Sequence, residues 1–278
     1  MNYKQYSISI LLCCHNRKAA TLRCLSAVYK QIDNDDLNAK VVLVDDGSMD
    51  GTSQAVIENF PKVRLIRGSG DLFWSGGMRM AYEHADPSDF FLWLNDDVIP
   101  YEGSILKMLK LAIKEKNKVV MTGAVKSSSS NKVAYGGMRR TSRRRLRFCV
   151  LEPFEKRIVC DTTNGNFVLI PSGIYKAVGN IDPYFVHAHG DIDFGLRVRK
   201  AGFEILLSHN YVGEVETRFL EQRVYRDGQG IKDRVKLITD IKALHPKEWW
   251  FLCKRHCKHE LLYSFLSPYV RVARNRPL

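Results

Sequence analysis

Phe90-Phe91-Leu92-Trp93-Leu94 is an unbroken apolar run that stops abruptly at Asn95-Asp96-Asp97. A run this short reads as a strand buried on both faces, the kind found in parallel sheets covered by helices. Two adjacent carboxylates at the end of such a strand are costly unless something positive joins them. A divalent cation backed by a phosphate is one solution, because Mg²⁺ and Mn²⁺ favour oxygen ligands. A plain polar turn is the alternative, since Asn and Asp are common turn residues.

The same punctuation recurs. Short apolar runs over residues 8–14, 41–44, 63–66, 90–94 and 119–122 alternate with helical patterns over 19–32, 52–60, 76–85 and 104–114. That rhythm predicts βαβ units and an α/β chain with a mostly parallel central sheet flanked by helices. Open sheets of this kind bind ligands beyond the carboxyl ends of their strands. Here those ends read His15-Asn16-Arg17, Asp45-Asp46, Gly68-Ser69-Gly70-Asp71 and Asn95-Asp96-Asp97, so the unusual polar residues are expected on one rim.

After Ala124 the rhythm breaks. Residues 127–131 read as a polar loop and the Arg-rich stretch 139–147 is poorly patterned. A strand over 166–171, a helix over 191–201 and a strand over 203–207 follow. From about Thr217 the chain turns basic and helical, with aromatic residues interleaved. The expected organisation is a catalytic domain over 1–216 and a basic helical extension over 217–278.

The net charge of +13 is concentrated. Residues 218–278 carry 14 Lys/Arg against 6 Asp/Glu, and Arg139, Arg140, Arg143, Arg144, Arg145 and Arg147 form a second cluster. Basic patches suit nucleic acid, anionic lipid or phosphorylated ligands. Apolar content of 45% with 26% charged residues is ordinary for a globular chain and does not indicate disorder. Seven cysteines without framework spacing, two of them inside the first strand, point to a reducing compartment. Residues 8–14 lack the flanks of a signal peptide, and no run approaches the length of a spanning helix.

Gly68-x-Gly70 is not a dinucleotide fingerprint, because Phe73 stands where a third glycine belongs, and there is no P-loop. Asp50 or Thr52 can simply cap the helix that follows. Asp45 continues a buried strand and can accept hydrogen bonds from a base or ribose.

The segments 7–17, Val44-Asp45-Asp46-Gly47-Ser48-x-Asp50-Gly51-Thr52 and Leu94-Asn95-Asp96-Asp97 resemble the opening motifs of the family 2 nucleotide-sugar glycosyltransferases. Asp71-Leu-Phe-Trp74-Ser-Gly76-Gly77-Met-Arg79 resembles a rhamnosyltransferase-like subset. The resemblance covers about residues 7–215. It implies the Rossmann-like GT-A fold, with the nucleotide held by His15, Asn16, Arg17, Asp45, Asp46 and Gly70. Asn95-Asp96-Asp97 takes the place of the family's metal motif, with Asp97 the most direct ligand of Mg²⁺ or Mn²⁺ and Asp96 beside it. Asn95 leaves that set one charge short of the strict pattern. His209, in His209-Asn-Tyr-Val-Gly213, is the further metal candidate.

His189-Gly190-Asp191-Ile192-Asp193 resembles the later motif that carries the catalytic base, and Asp191 falls on that position. Residues i and i+2 on a helix face different directions, so Asp191 and Asp193 cannot serve one reacting atom together. Asp193 stands either as a substrate contact or paired with Arg197 at i+4. Trp74, Gly76, Gly77 and Arg79 are expected around the sugar or acceptor, though Trp74 can equally pack under a loop. Cys253, His256, Cys257 and His259 do not share one helix face, which argues against zinc. The extension is expected to meet an anionic membrane, or else to pack on the catalytic domain with a solvated basic face.

The expected activity is inverting transfer from a UDP- or dTDP-sugar to a hydroxyl of a glycan acceptor, expected to be lipid-linked, in cell-surface polysaccharide synthesis at the cytoplasmic face of a membrane. No nucleic-acid partner is expected. Two other readings stay open: a sugar-phosphate nucleotidyltransferase, which needs a Gly-rich loop absent here, and a basic nucleic-acid-binding protein, which leaves the acidic rim unexplained.

Overall fold

The computed structural model describes residues 3–142, 144–216, 230–274 and 276. Arg143 of the basic cluster and the 216/217 domain boundary therefore fall on or beside positions outside the described residues. Strands β1 (Ile8–Cys14), β2 (Ala39–Asp45), β3 (Arg64–Arg67) and β4 (Phe90–Leu94) pair in parallel, in the order β3-β2-β1-β4. Between them run α1 (Lys18–Asn34), α2 (Thr52–Asn59) and α3 (Phe73–Glu83). Every residue of β1 and β4 is buried, as their unbroken apolar character requires.

The register levels the strand ends. Cys14 sits opposite Asp45, and Asp45 opposite Arg67. The polar residues that follow each strand therefore emerge at one edge of the sheet, as the spacing anticipates.

Downstream come β5 (Ile99–Pro100), α4 (Ser104–Lys114), β6 (Val119–Ser127), β7 (Val133–Tyr135), β8 (Gly137–Arg140), β9 (Phe148–Val150), β10 (Val159–Cys160), β11 (Thr162–Thr163), β12 (Phe167–Pro171), α5 (Ser172–Val178), α6 (Gly190–Lys200) and β13 (Glu204–Val215). β12 inserts antiparallel between β4 and β6, and β13 returns parallel to β6. The sheet is thus mixed: β3-β2-β1-β4 and β6-β13 are parallel, and the pairings of β5, β7, β10 and β12 are antiparallel. The Arg-rich stretch, poorly patterned in the sequence, borders a small second sheet, β11-β8-β9. And β13 runs on well past Leu207 through an irregularity at 208–210, so His209 lies within the strand, not beyond its end.

The C-terminal segment folds into α7 (Ile231–Ile238), α8 (Pro246–His256) and α9 (Leu261–Ala273). Trp249, Leu252, Cys253 and Cys257 of this segment share a core with Leu146 and Phe185. The charged residues of α8 fasten it to α6. Arg255 reaches Asp193 through Nη1 at 3.0 Å and Asp182 at 2.6 Å, and His256 Nε2 lies 2.8 Å from Asp193.

Gly76 and Gly77, expected around the sugar or acceptor, are both buried in α3, and Gly77 packs directly on β1. A Cβ on Gly77 would overlap Cys13 Sγ and lie 2.8 Å from Cys13 Cβ, which the strand backbone holds in place. Overpacking at such a contact costs about 1–3 kcal/mol. Gly77→Val should lower the unfolding free energy by about 2–3 kcal/mol in urea melts, whereas Gly173→Ala, with nothing within 4 Å, should be neutral or stabilising. Equal midpoints for Gly77→Val and the parent would contradict the close approach.

Candidate active site

The rim of the sheet opens into a cleft of about 660 Å³. Its walls include His15, Arg17, Asp46, Gly70, Trp74, Asn95, Asp96, Asp97 and Asp191. Residues that are far apart in the chain thus meet at one mouth. Asp96 and Asp97 follow β4 directly. Arg17, at the start of α1, donates to Asp97 Oδ2 at 2.6 Å and lies 3.3 Å from Asp96 Oδ1. Thr21 Oγ1 donates to the other Asp96 oxygen at 3.2 Å. Burial pushes the Asp96 carboxyl up to about 7, against the pull of Arg17, with the neighbouring Asp97 charge adding to the rise.

The arrangement fits a divalent cation in one specific respect. Asp97 Oδ1 is buried with no hydrogen-bond partner, while its other oxygen is held by a cation. A buried carboxylate oxygen left unpaired is costly and marks a place where a positive ligand belongs. Among the described residues no group of three or more His, Cys, Asp or Glu side chains could hold an ion alone. The protein supplies two carboxylates, and phosphate oxygens would have to supply further ligands.

The loops around the cleft are held by the other acidic residues. Asp46 Oδ1 and Oδ2 accept from the backbone N–H groups of Gly70 and Phe73 at 2.8 and 2.9 Å. His15 Nδ1 lies 2.5 Å from Asp46 O. Asn16 spends its side chain on Met49 N–H and His15 Nε2. Asp45 does not line the cleft: Ser48 N–H and the Ser53 hydroxyl already engage its two oxygens. Its expected nucleotide contact is corrected to a loop-holding role.

Across the cleft, Asp191 opens α6. Its Oδ2 accepts from Gly165 N–H at 2.8 Å and Oδ1 from Ile192 N–H at 2.7 Å. Burial raises its carboxyl above the ordinary range, partly opposed by those two N–H groups. Trp74 Nε1 donates to Asn95 Oδ1 at 2.7 Å and its ring stands edge-on to Trp93, so it belongs to the cleft wall.

Three further expected site residues lie outside this cleft. Asp193 is fully buried and clasped by Arg197, Arg255 and His256. Burial alone would raise its carboxyl, but these partners hold it below the ordinary range. The i+4 pairing with Arg197 is present, and the substrate role is withdrawn. Arg79 lines a separate hollow with Asn180, Asp182, Arg197 and Arg255. His209 is outside the cleft lining. Of the residues weighed for zinc, His256 serves Asp193 and Cys257 Sγ lies 3.3 Å from Arg144 O.

Sequence reasoning missed His187, Asn164, Asn166 and Lys242, all on the cleft wall. His187 Nδ1 and His189 Nε2 are buried without partners. Burial pulls both imidazoles down to about 4, with Lys242 adding to the push on His187, so both are neutral near pH 7. His187-x-His189, immediately before the Asp191 motif, was the available signal; nothing in the sequence ties Lys242 to residues 50 or more positions earlier.

Residues 9–176 match the family model "Glycosyl transferase family 2". The chain belongs to this family. The readings as a nucleotidyltransferase and as a nucleic-acid-binding protein are set aside. An N-acetylglucosaminyl-diphospho-decaprenol L-rhamnosyltransferase of Mycobacterium tuberculosis is 26% identical over 250 residues, covering 78% of this chain and 75% of its own. Among solved structures, GalNAc-T7 with UDP, GalNAc and Mn²⁺ superposes with a TM-score of 0.65 at 12% identity, over 95% of this chain and 58% of that one. The mannosyltransferase PcManGT from Pyrobaculum calidifontis, with GDP-Man and Mn²⁺, gives 0.58 at 16% identity over 96% and 73%. S. aureus TarS residues 1–349 gives 0.58 at 14% identity over 96% and 81%. The fold is GT-A and the chain is a glycosyltransferase.

Gly165 sits where a Cβ would overlap the Trp74 ring and come within 3.3 Å of Asp191 Cβ. Gly165→Ala should therefore displace the Trp74 wall and the Asp191 carboxylate together. Turnover should fall by on the order of 10²-fold, as a misplacement of about 1 Å in a cleft wall does, with the fold retained by circular dichroism. Turnover within a factor of about two of the parent would contradict this positioning.

Proposed function

We infer that this glycosyltransferase moves a sugar from a UDP- or dTDP-sugar to a hydroxyl of a lipid-linked glycan acceptor, with inversion at the anomeric carbon, in cell-surface polysaccharide synthesis at the cytoplasmic face of a membrane. One observation carries the reading: Arg17, Asp96 and Asp97 share a single cleft with Asp191. The relative named for a lipid-diphosphate acceptor supports the acceptor class. The Mn²⁺ complexes of the structural neighbours support a divalent ion here.

In this reading His15, Asn16 and Asp46 shape the loops against which the nucleotide lies, while Arg17 faces the diphosphate. Asp97, with Asp96 beside it, would hold Mg²⁺ or Mn²⁺, which when bound offsets the charge developing on the leaving nucleoside diphosphate. Asp191 takes the proton from the acceptor hydroxyl as that oxygen attacks the anomeric carbon. Its raised carboxyl makes it a better base than an exposed aspartate, and the N–H of Gly165 keeps it aimed. Attack from the face opposite the leaving group inverts the configuration. Trp74 closes the wall beside the reacting centre and excludes water.

Asp191→Asn preserves size and the contact to Gly165 but cannot accept the proton. It should bind the nucleoside diphosphate within about twofold of the parent in calorimetry and lose about 10²–10⁴-fold in transfer. Transfer near the parent rate would remove Asp191 as the base.

A further inference from the structure

Ten large hydrophobic side chains stand exposed among the described residues, and six of them lie in α7 and α9: Ile231, Val235, Leu262, Tyr263, Leu266 and Val270. Leu262, Leu266 and Val270 follow one another at intervals of four, so they form one stripe along α9. The opposite face of that helix, Ser264, Pro268 and Val272, is buried. α7 packs beside α9 and adds Ile231 and Val235, again four apart. Exposed apolar side chains grouped on two neighbouring helices in this way mark a docking face.

The two basic clusters of the sequence meet around it. The Arg-rich stretch is tied to the C-terminal helices through Leu146 N–H, which donates to Ser264 Oγ at 3.0 Å. Arg145 lies over the Tyr263 ring at 5.7 Å, and Arg144, largely exposed, is 3.7 Å from Glu260. Lys232, Lys236 and Lys258 are exposed on the same helical segment. Residues 230–274 carry 10 Lys/Arg against 4 Asp/Glu. Two copies of such a face would repel each other, and nucleic acid would leave the apolar stripe unburied. An anionic lipid surface satisfies both the stripe and its charged rim. No helix of the described residues is long and apolar enough to cross a bilayer, so the fit is to lie in the interface.

We propose that α7 and α9 form an interfacial docking face for an anionic bilayer, with Leu262, Leu266 and Val270 entering the headgroup boundary and Arg144, Arg145, Lys232 and Lys236 meeting lipid phosphates. α9 also reaches the wall of the catalytic cleft through its inner face. Tyr269, next to Val270, donates from its hydroxyl to Leu244 O at 2.6 Å, and Lys242, Ala243 and Leu244 line the cleft. Docking therefore brings the wall that carries Lys242 to the membrane plane, where the phosphates of a lipid-linked acceptor lie. The benefit to catalysis rests on the lipid-linked acceptor proposed above, whereas the docking face itself does not.

The test is co-sedimentation of the full chain, without substrate, with vesicles of phosphatidylcholine alone and of phosphatidylcholine mixed with phosphatidylglycerol. The parent should bind the mixed vesicles and not the neutral ones, and added salt should weaken that binding. Leu262→Glu/Leu266→Glu should reduce binding on the order of tenfold, and Lys232→Glu/Lys236→Glu should reduce it while leaving the stripe intact. All three should transfer equally well to a water-soluble short-chain acceptor, which separates loss of docking from loss of the transferase. Equal sedimentation of parent and both variants would overturn the proposal. So would a parent that ignores vesicles but dimerises with concentration through the same stripe, which would assign the face to a second copy.

Discussion

Two adjacent carboxylates at the end of a fully buried strand are the constraint on which the remainder of this structure depends. Asp96 and Asp97 repel each other, and Asp96 is almost wholly removed from water. Burial of a charge is tolerable only with a partner. Arg17 is that partner, and it can reach both because β1 and β4 are adjacent and parallel. The sheet order that places Arg17 beside Asp97 also places the Asp46 loop and the Asn164–Asn166 turn on the same rim. The cleft is a consequence of where a strand can afford to end in negative charge. Arg17 provides the positive charge, and the unpaired Asp97 oxygen shows that it does so incompletely.

The basic extension is bound into this arrangement rather than appended to it. Glu248 of α8 accepts from Val186 N–H at 3.2 Å and so steadies the loop that carries His187 and His189. Arg255 and His256 grip Asp193, two residues from Asp191 on the same helix. A buried carboxylate with three cationic or polar partners is a specificity device more than a source of stability, because desolvation offsets much of the attraction. Its effect is to hold α6, and with it Asp191, against the C-terminal helices. The chemistry of the cleft and the position of the extension are thereby linked through one side chain.

Much of this was legible in the sequence because buried parallel strands write themselves as unbroken apolar runs. β1, β4 and α4 fall where the pattern places them, and the strand-end residues Arg17, Asp46, Gly70, Asp96 and Asp97 meet as expected. What was illegible is physically of three kinds. Met138-Arg139-Arg140 shows no alternation because its small sheet is only half covered, so β8 left no pattern to read. Gly77 read as a substrate contact, yet its missing side chain lets α3 lie on Cys13, a tertiary contact that no local pattern records. Lys242 and the α8 clasp depend on where a distant segment docks. Asp193 was readable only in part: the i+4 spacing revealed Arg197, but nothing local could reveal Arg255 and His256.

The most direct measurement is a crystal structure of the complex with Mn²⁺ and UDP or dTDP. The account predicts that Arg17 leaves Asp97, that metal density appears on Asp97 Oδ1, and that the diphosphate lies between Arg17 and that ion with Asp191 facing the open end of the cleft. A complex in which Arg17 remains on Asp97 while metal and nucleotide occupy another hollow would contradict it.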